Sequence, residues 1–312
     1  MKLDNKEFGF DNFSAEMAKL KNDQHFDYLV TIVGEDFGEE GLGCIYILEN
    51  TKNHERISVK QIAKKVGETD YVIPSVIKLW HDADLLEREV FDFLGIKFLG
   101  HPDMRRLFLR NDFEGYPLRK DFDMSPEHNR FPMTDEPESD WTSEWNLNQF
   151  GELVETKHRL FDTDDFVMNF GPNHPSMHGV LRLQTVVNGE TVKRIYPHLG
   201  YIHRGIEKMM ENMTYPQTLA LTDRLNYLCA MTNRHALVGV IEEAMGVELS
   251  DRIKYIRTIM DELQRIDNHL LFLGTCAQDL SALTAFLYCM RDREHVLNVM
   301  EETTGGRLIQ NY

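Results

Sequence analysis

Between Ser250 and Leu270 the chain repeats one spacing. Ile253, Ile256, Met260, Leu263, Ile266 and Leu270 follow one another at steps of three and four residues. That spacing lines side chains along one face of an α-helix, and Ser250 is a residue type that caps a helix start. A second apolar helix is expected over Leu280–Met290. Helices of this kind are stable when the stripe packs on something apolar, so the chain from Tyr215 onward reads as a helix bundle. Before that point the pattern is different. Phe26–Val33 and Gly43–Leu48 are short runs rich in β-formers, with Gly34–Gly41 as the hairpin loop and Glu55–Ile57 extending the sheet. Val59–Val66 reads as a helix, Tyr71–Ile73 as a strand stopped by Pro74, and Asp84–Leu94 as a helix ended by Gly95. Phe166–Phe170 is a further strand, and Val180–Val187 and Glu190–Tyr196 flank the hairpin signal Asn188-Gly189. No strict βαβ alternation appears, so the expected fold class is α+β.

Charge divides the chain in three. Residues 1–125 carry a net −7, residues 126–165 a net −8 with Pro126, Pro132 and Pro137, and residues 166–312 a net −2. The middle stretch reads as an acidic linker. It joins an N-terminal α+β domain, 1–125, to a β-hairpin plus helix-bundle domain, 166–312. The total of −17, from 34 Lys+Arg against 51 Asp+Glu, disfavours nucleic acid as a partner and docking on an anionic lipid surface. The first residues lack the basic start and apolar core of a signal peptide, and no apolar stretch reaches the ~20 residues a spanning helix needs. Cys44, Cys229, Cys276 and Cys289 form no C-x-x-C pair. No iron–sulfur cluster or cysteine-based zinc site is therefore expected from this chain alone, and a reduced, cytosolic setting is the default.

Two clusters stand out chemically. In Gly171–Gly179 two glycines and two prolines enforce an irregular loop that holds His174 and His178. A metal pair, two solvated histidines, or a proton-handling, ligand-contacting histidine are the competing readings, and the last explains the backbone best. The second cluster runs from Glu87-Arg88-Glu89 and Asp92 through Gly100-His101-Pro102-Asp103 and Arg105-Arg106 to Gly115–Phe122. Glu87 and Glu89 face different sides of a helix, so an acid/base pair is not expected. An ion-paired docking surface including Arg105, Arg106, Arg119 and Lys120 is. No dinucleotide or phosphate-loop fingerprint occurs.

These motifs resemble a known family. Residues 87–106 and 115–122 look like the C subunit of respiratory complex I, the NADH–quinone oxidoreductase. NFGPNHPSMHGVLRL, PHLGYIHRGIEK, TYPQTLALTDRLNYL and DLSALTAF resemble its D subunit. The order is that of bacterial C/D fusions, and the D part normally runs further, so a truncated C/D chain is expected. The resemblance implies a second domain built like the large subunit of nickel–iron hydrogenases. It also implies a part in proton-translocating NADH:quinone oxidoreduction on the cytoplasmic side of the cell inner membrane. The expected partners are the B, I and H subunits and the membrane arm. By the same resemblance His178 and Tyr227, with His174, contact the quinone headgroup, and Asp279 pairs with that histidine. Arg204 and Ile309 lie beside a 4Fe–4S cluster held by the B subunit, so the chain holds no cofactor itself. Imidazole, ionising near pH 6.5, can supply a proton near neutrality, and a phenol can donate if its anion is stabilised. Most relatives carry a His where this chain has Ile309, which puts a pH-dependent cluster potential in doubt. The lone Cys229 does not replace the cysteine pair of a hydrogenase. A membrane-bound hydrogenase, a quinone or phenazine reductase not fed by NADH, and a structural scaffold are the rival functions.

Overall fold

In the computed structural model, which describes residues 4–125, 141–161, 165–174 and 179–310, the chain begins with a strand, Asp4–Glu7 (β1), and a helix, Phe13–Asn22 (α1). Tyr28–Asp36 (β2), Leu42–Asn50 (β3) and Glu55–Ile62 (β4) then form an antiparallel meander, and β1 adds parallel to β4. Asp36 pairs with Leu42, so the expected loop shrinks to Phe37–Gly41. Phe13, Met17 and Leu20 of α1 pack against Leu29, Tyr46, Leu48 and Ile57 in one core. Each such side chain withdrawn from water contributes about 1.5–3 kcal/mol.

The helix expected over Val59–Val66 is not there. Those residues continue β4 and form Lys64–Val66 (β5). Val59, Ile62, Ala63 and Val66 fit a helical stripe, but every residue from Glu55 to Ile62 finds a partner on β3. Non-local pairing overrides the local pattern here.

A second sheet has the order β5-β6-β7-β8-β9. Asp70–Pro74 (β6), the helix Ala83–Leu94 (α2) and Ile96–Leu99 (β7) make one parallel crossover, and α2 packs on β2. Trp141–Leu147 (β8) pairs parallel with β7 and antiparallel with Leu153–Arg159 (β9). Residues 141–159, expected in an exposed acidic linker, are therefore a hairpin. A net charge averaged over forty residues hides Trp141, Trp145 and Leu147, which alternate along one strand. The rest of the linker's proline-rich part lies outside the described residues.

Phe166–Phe170 (β10), Arg182–Asn188 (β11) and Thr191–His198 (β12) form a third, antiparallel sheet. Asn188 pairs with Thr191, so Gly189 and Glu190 make the turn, one residue later than expected. This sheet falls in the first of two compact units, residues 1–205 and 206–312. The second unit is helical throughout: Ile206–Glu211 (α3), Tyr215–Thr222 (α4), Ala230–Met245 (α5), Asp251–Asp279 (α6) and Leu283–Thr304 (α7). Ser250 is the residue preceding α6, as its spacing predicts. Met231, Met260 and Met300 form the small core, with Ile256 and Leu263 against it, while Ile253 and Ile266 stay exposed. Among the described residues, no helix is long and apolar enough to cross a membrane. The mixture of sheets and helices is α+β.

Candidate functional site

Much of the charged cluster on α2 and after it turns inward, while Lys120 stays exposed. Glu87 is 0% exposed, and its carboxylate accepts from the Ser75 hydroxyl at 2.6 Å and the Val76 N–H at 2.7 Å. Burial pushes its pKa up to about 7, against the pull of those two donors. Asp92 accepts the backbone N–H groups of Leu107, Phe108 and Leu109 and pairs with Arg106 at 2.9 Å. Arg106 also donates to the carbonyls of Phe113 and Gly115, Arg88 to those of Arg105 and Arg106, and Arg119 to that of Leu94. Burial raises Asp103, but the guanidinium of Arg105, gripping it at both oxygens, and that of Arg88 hold it well below the usual carboxylate range. These groups fasten the irregular segment 101–119 to the helix. Charges are read from sequence as exposed, whereas here backbone carbonyls and carboxylates satisfy them inside the unit.

The loop after β10 depends on Gly171. It has φ +89°, and a Cβ there would stand 1.9 Å from the Leu181 carbonyl oxygen. His174 is exposed, its ring edge-on to Phe170 at 5.8 Å. His178 lies outside the described residues. Gly200 plays the same part in the next turn, since a Cβ would meet the Phe108 carbonyl oxygen at 1.9 Å with φ +93°. This close approach lets His203 stack on Phe93 at 4.9 Å, and Arg204 follows it, exposed, at the end of the first unit.

In the second unit, Tyr227 stands in the turn between α4 and α5. The turn is held from both flanks. Asn233 donates to the carbonyls of Thr222 and Asn226, and Asn268 of α6 donates to the Cys229 sulfur at 3.0 Å. Burial pushes the Cys229 thiol up. The Asp223–Arg234 ion pair closes the base of the turn. Between these anchors Tyr227 is 53% exposed. A phenol left open in a turn held from both flanks suits a hydrogen bond to something outside the chain.

Asp279 is the last residue of α6 and is exposed. It lies eleven residues beyond Asn268, roughly 16 Å along the helix axis. Ile309, half-buried, sits in the turn after α7, beside the buried Gln310. Arg307 of the same turn bonds Asn298 and Glu301, at 2.8 and 2.7 Å, and pairs with Glu294. Of the expected residues, Tyr227 and Ile309 belong to segments tied to one stretch of α6, whereas Asp279 is at that helix's far end. The ties themselves, Gln264, Asn268 and Asn233, are not among the residues that sequence points to. Their one signal is a polar residue interrupting an apolar helix face at Gln264. Among the described residues, no group of three or more His, Cys, Asp or Glu is placed to hold a metal ion.

Comparison with known proteins bears on this arrangement. Residues 10–128 match the family described as Respiratory-chain NADH dehydrogenase, 30 Kd subunit. The chain is 54% identical over 297 residues to the C/D subunit of NADH-quinone oxidoreductase from Phocaeicola vulgatus, covering 95% of this chain and 56% of that protein. It is 52% identical over 307 residues to the protein of that name in Bacteroides thetaiotaomicron, covering 95% and 57%. Identity to the second C/D subunit of Aquifex aeolicus is 40%, over 93% of this chain and 51% of that protein. The chain thus spans about half the length of the curated relatives it matches. Its residues 10–128 carry the domain of the respiratory-chain NADH dehydrogenase 30 Kd subunit, and over 95% of its length the chain is similar to the C/D subunits of NADH-quinone oxidoreductase.

Proposed function

We propose that the chain is a peripheral-arm subunit of a proton-translocating NADH:quinone oxidoreductase and forms part of its quinone-reduction site. The observation that carries this reading is the 54% identity to a C/D protein over 95% of the chain. The exposed, anchored phenol of Tyr227 supports it from the geometry. In this reading the chain is a C-type domain, to whose second sheet the 141–159 hairpin adds, and the first part of a hydrogenase-like D-type domain. It sits on the cytoplasmic side of the inner membrane among the B, I and H subunits and the membrane arm.

Reducing a quinone to quinol takes two electrons and two protons. A 4Fe–4S cluster held by the neighbouring B subunit would supply the electrons, and the chain's own residues would handle the substrate and its protons. Tyr227 donates a hydrogen bond to a quinone carbonyl and orients the headgroup. By the resemblance, His178 and His174 are further headgroup contacts and Asp279 is the carboxylate partner of His178; an imidazole kept charged by such a partner can release a proton to the reduced ring. By the same resemblance, a cation at Arg204 would favour the more negative, reduced form of that cluster, and Ile309 would offer it an aliphatic group. The test is photolabelling of the assembled complex with a quinone analogue, together with Tyr227→Phe. Labelling near Tyr227, and a fall in quinone reduction with electron flow to an upstream artificial acceptor intact, is expected. Unchanged quinone turnover and KM in Tyr227→Phe would remove the role. The loss of one hydrogen bond costs on the order of 1 kcal/mol, more if charge develops on the quinone.

A further inference from the structure

Gln264 lies in the middle of α6 and is 1% exposed. A buried amide destabilises a core unless its donors and acceptor are matched. Its hydrogen bonds lead to the two segments that bear Tyr227 and Ile309. Oε1 accepts from the N–H of Met231 at 2.7 Å and of Thr232 at 3.2 Å, both in the first turn of α5. Nε2 donates to Oε1 of Gln310 at 2.9 Å, and Gln310, 3% exposed, donates in turn to the Arg307 carbonyl at 2.8 Å.

The amide orientation follows from the partners. Two backbone N–H groups can be met only by an oxygen, so the nitrogen must face Gln310. The first N–H groups of a helix have no partner inside the helix, and a capping side chain usually supplies one. The residue before α5, Cys229, makes no such bond with its side chain. Gln264 therefore does from α6 what a local cap would do, and what it caps begins three residues after Tyr227. Its other end holds Gln310, the neighbour of Ile309.

We propose that Gln264 is a positioning residue for the quinone site: it fixes the Tyr227 turn and the Ile309 turn to one point on α6, so that both side chains are presented by a single rigid element. This rests on the quinone-site reading above. Any buried amide needs partners at both ends, and those of Gln264 lie on the two site-bearing segments, the oxygen on one and the nitrogen on the other. A side chain of equal volume without the oxygen leaves the start of α5 uncapped and the Tyr227 turn free to shift.

The experiment uses the assembled complex with Gln264→Leu, Gln264→Glu, Gln310→Leu and Tyr227→Phe, read by quinone KM and kcat and by amide hydrogen exchange. Gln264→Leu is expected to raise the quinone KM about tenfold, equivalent to about 1.4 kcal/mol. Flow to the upstream acceptor stays unchanged, and exchange at Met231 and Thr232 quickens. Gln264→Glu keeps an oxygen for both N–H groups but cannot donate to Gln310, so exchange is expected to stay slow at residues 231 and 232 and to quicken at 307–310. An assembled Gln264→Leu complex with unchanged KM overturns the proposal, as does a Gln264→Glu complex in which exchange at 231 and 232 quickens as much as in Gln264→Leu. If Gln264→Leu does not assemble, Gln310→Leu decides. It leaves the α5 cap in place, so exchange is expected to rise at residues 307–310 and not at 231 and 232, and the absence of that split overturns the tether. Tyr227→Phe keeps the two questions apart. Should it leave quinone KM and kcat untouched, the quinone-site reading fails, while the exchange data still judge the tether.

Discussion

Replacing Glu87 by glutamine probes a fully buried acid of the first unit. In the folded chain this carboxyl has its pKa pushed up to about 7 by burial, against 4.5 in the open chain. The folded state therefore binds the proton more tightly. Between pH 4.5 and 7 the unfolded chain ionises first, and stability present at low pH is lost as pH rises through that window. Each unit of difference is worth 1.36 kcal/mol, so the full loss across the window is about 3 kcal/mol. His101, also 0% exposed, accepts the Asp103 N–H at Nδ1 and donates from Nε2 to the Asp84 carbonyl. In Glu87→Gln the new amide keeps an oxygen for the Val76 N–H and a donor for the Ser75 hydroxyl. The anchor between α2 and the segment after β6 then survives without a buried charge. The expected outcome is a variant close to the wild type at pH 5 and more stable by up to about 3 kcal/mol at pH 8. All three tryptophans, Trp80, Trp141 and Trp145, lie in the first unit, so urea unfolding followed by tryptophan fluorescence reads that unit alone. Taking the difference between variant and wild type at each pH removes the titration of every other group. A difference that does not change from pH 5 to pH 8, or that grows against the variant at pH 8, would refute the assignment of a buried, neutral-leaning acid.

Arg106→Glu removes bonds to the Asp92 carboxylate and to the carbonyls of Asp92, Phe113 and Gly115, and puts a second negative charge beside a buried one. Breaking a buried pair costs about 3–5 kcal/mol, so thermal unfolding of the first unit is expected at a markedly lower temperature, and an unchanged midpoint would return this residue to the surface. Ile309→His adds a group that can take up a proton as a neighbouring cluster is reduced, each pKa unit of coupling being about 1.36 kcal/mol. In the intact complex the cluster potential is expected to be flat with pH in the wild type and sloped in the variant, read by EPR redox titration, and a marked slope in the wild type would show that another group provides the coupling.

What can be read from the sequence divides by the range of the forces involved. The extent of α2 and the start of α6 are legible because an apolar stripe and the residues at their ends act over a few positions. By contrast, α6 runs on past the stripe to Asp279, and α7 past Met290 to Thr304. Val59–Val66 imitates a helix because its strand character comes from β3, and β8 and β9 stay hidden because their pairing with β7 and with each other lies under a regional charge. Tyr227, His174 and Ile309 carry no periodic signal at all, and only the longer motifs around them draw them out. The tether is the hardest case. Gln264 and Gln310 are 46 positions apart, and neither has a neighbour in sequence that explains it. A long amide inside an apolar helix face is unfavourable alone, so its presence implies a partner, but nothing in the linear order says which. The arginines that fasten the 101–119 segment pose the same problem in reverse. Their charge suggests water, yet Arg88 and Arg106 are matched by backbone carbonyls, acceptors that every residue carries and no sequence distinguishes. Where satisfaction comes from the backbone, residue type alone cannot tell an exposed charge from a structural one, and only the folded geometry separates the two.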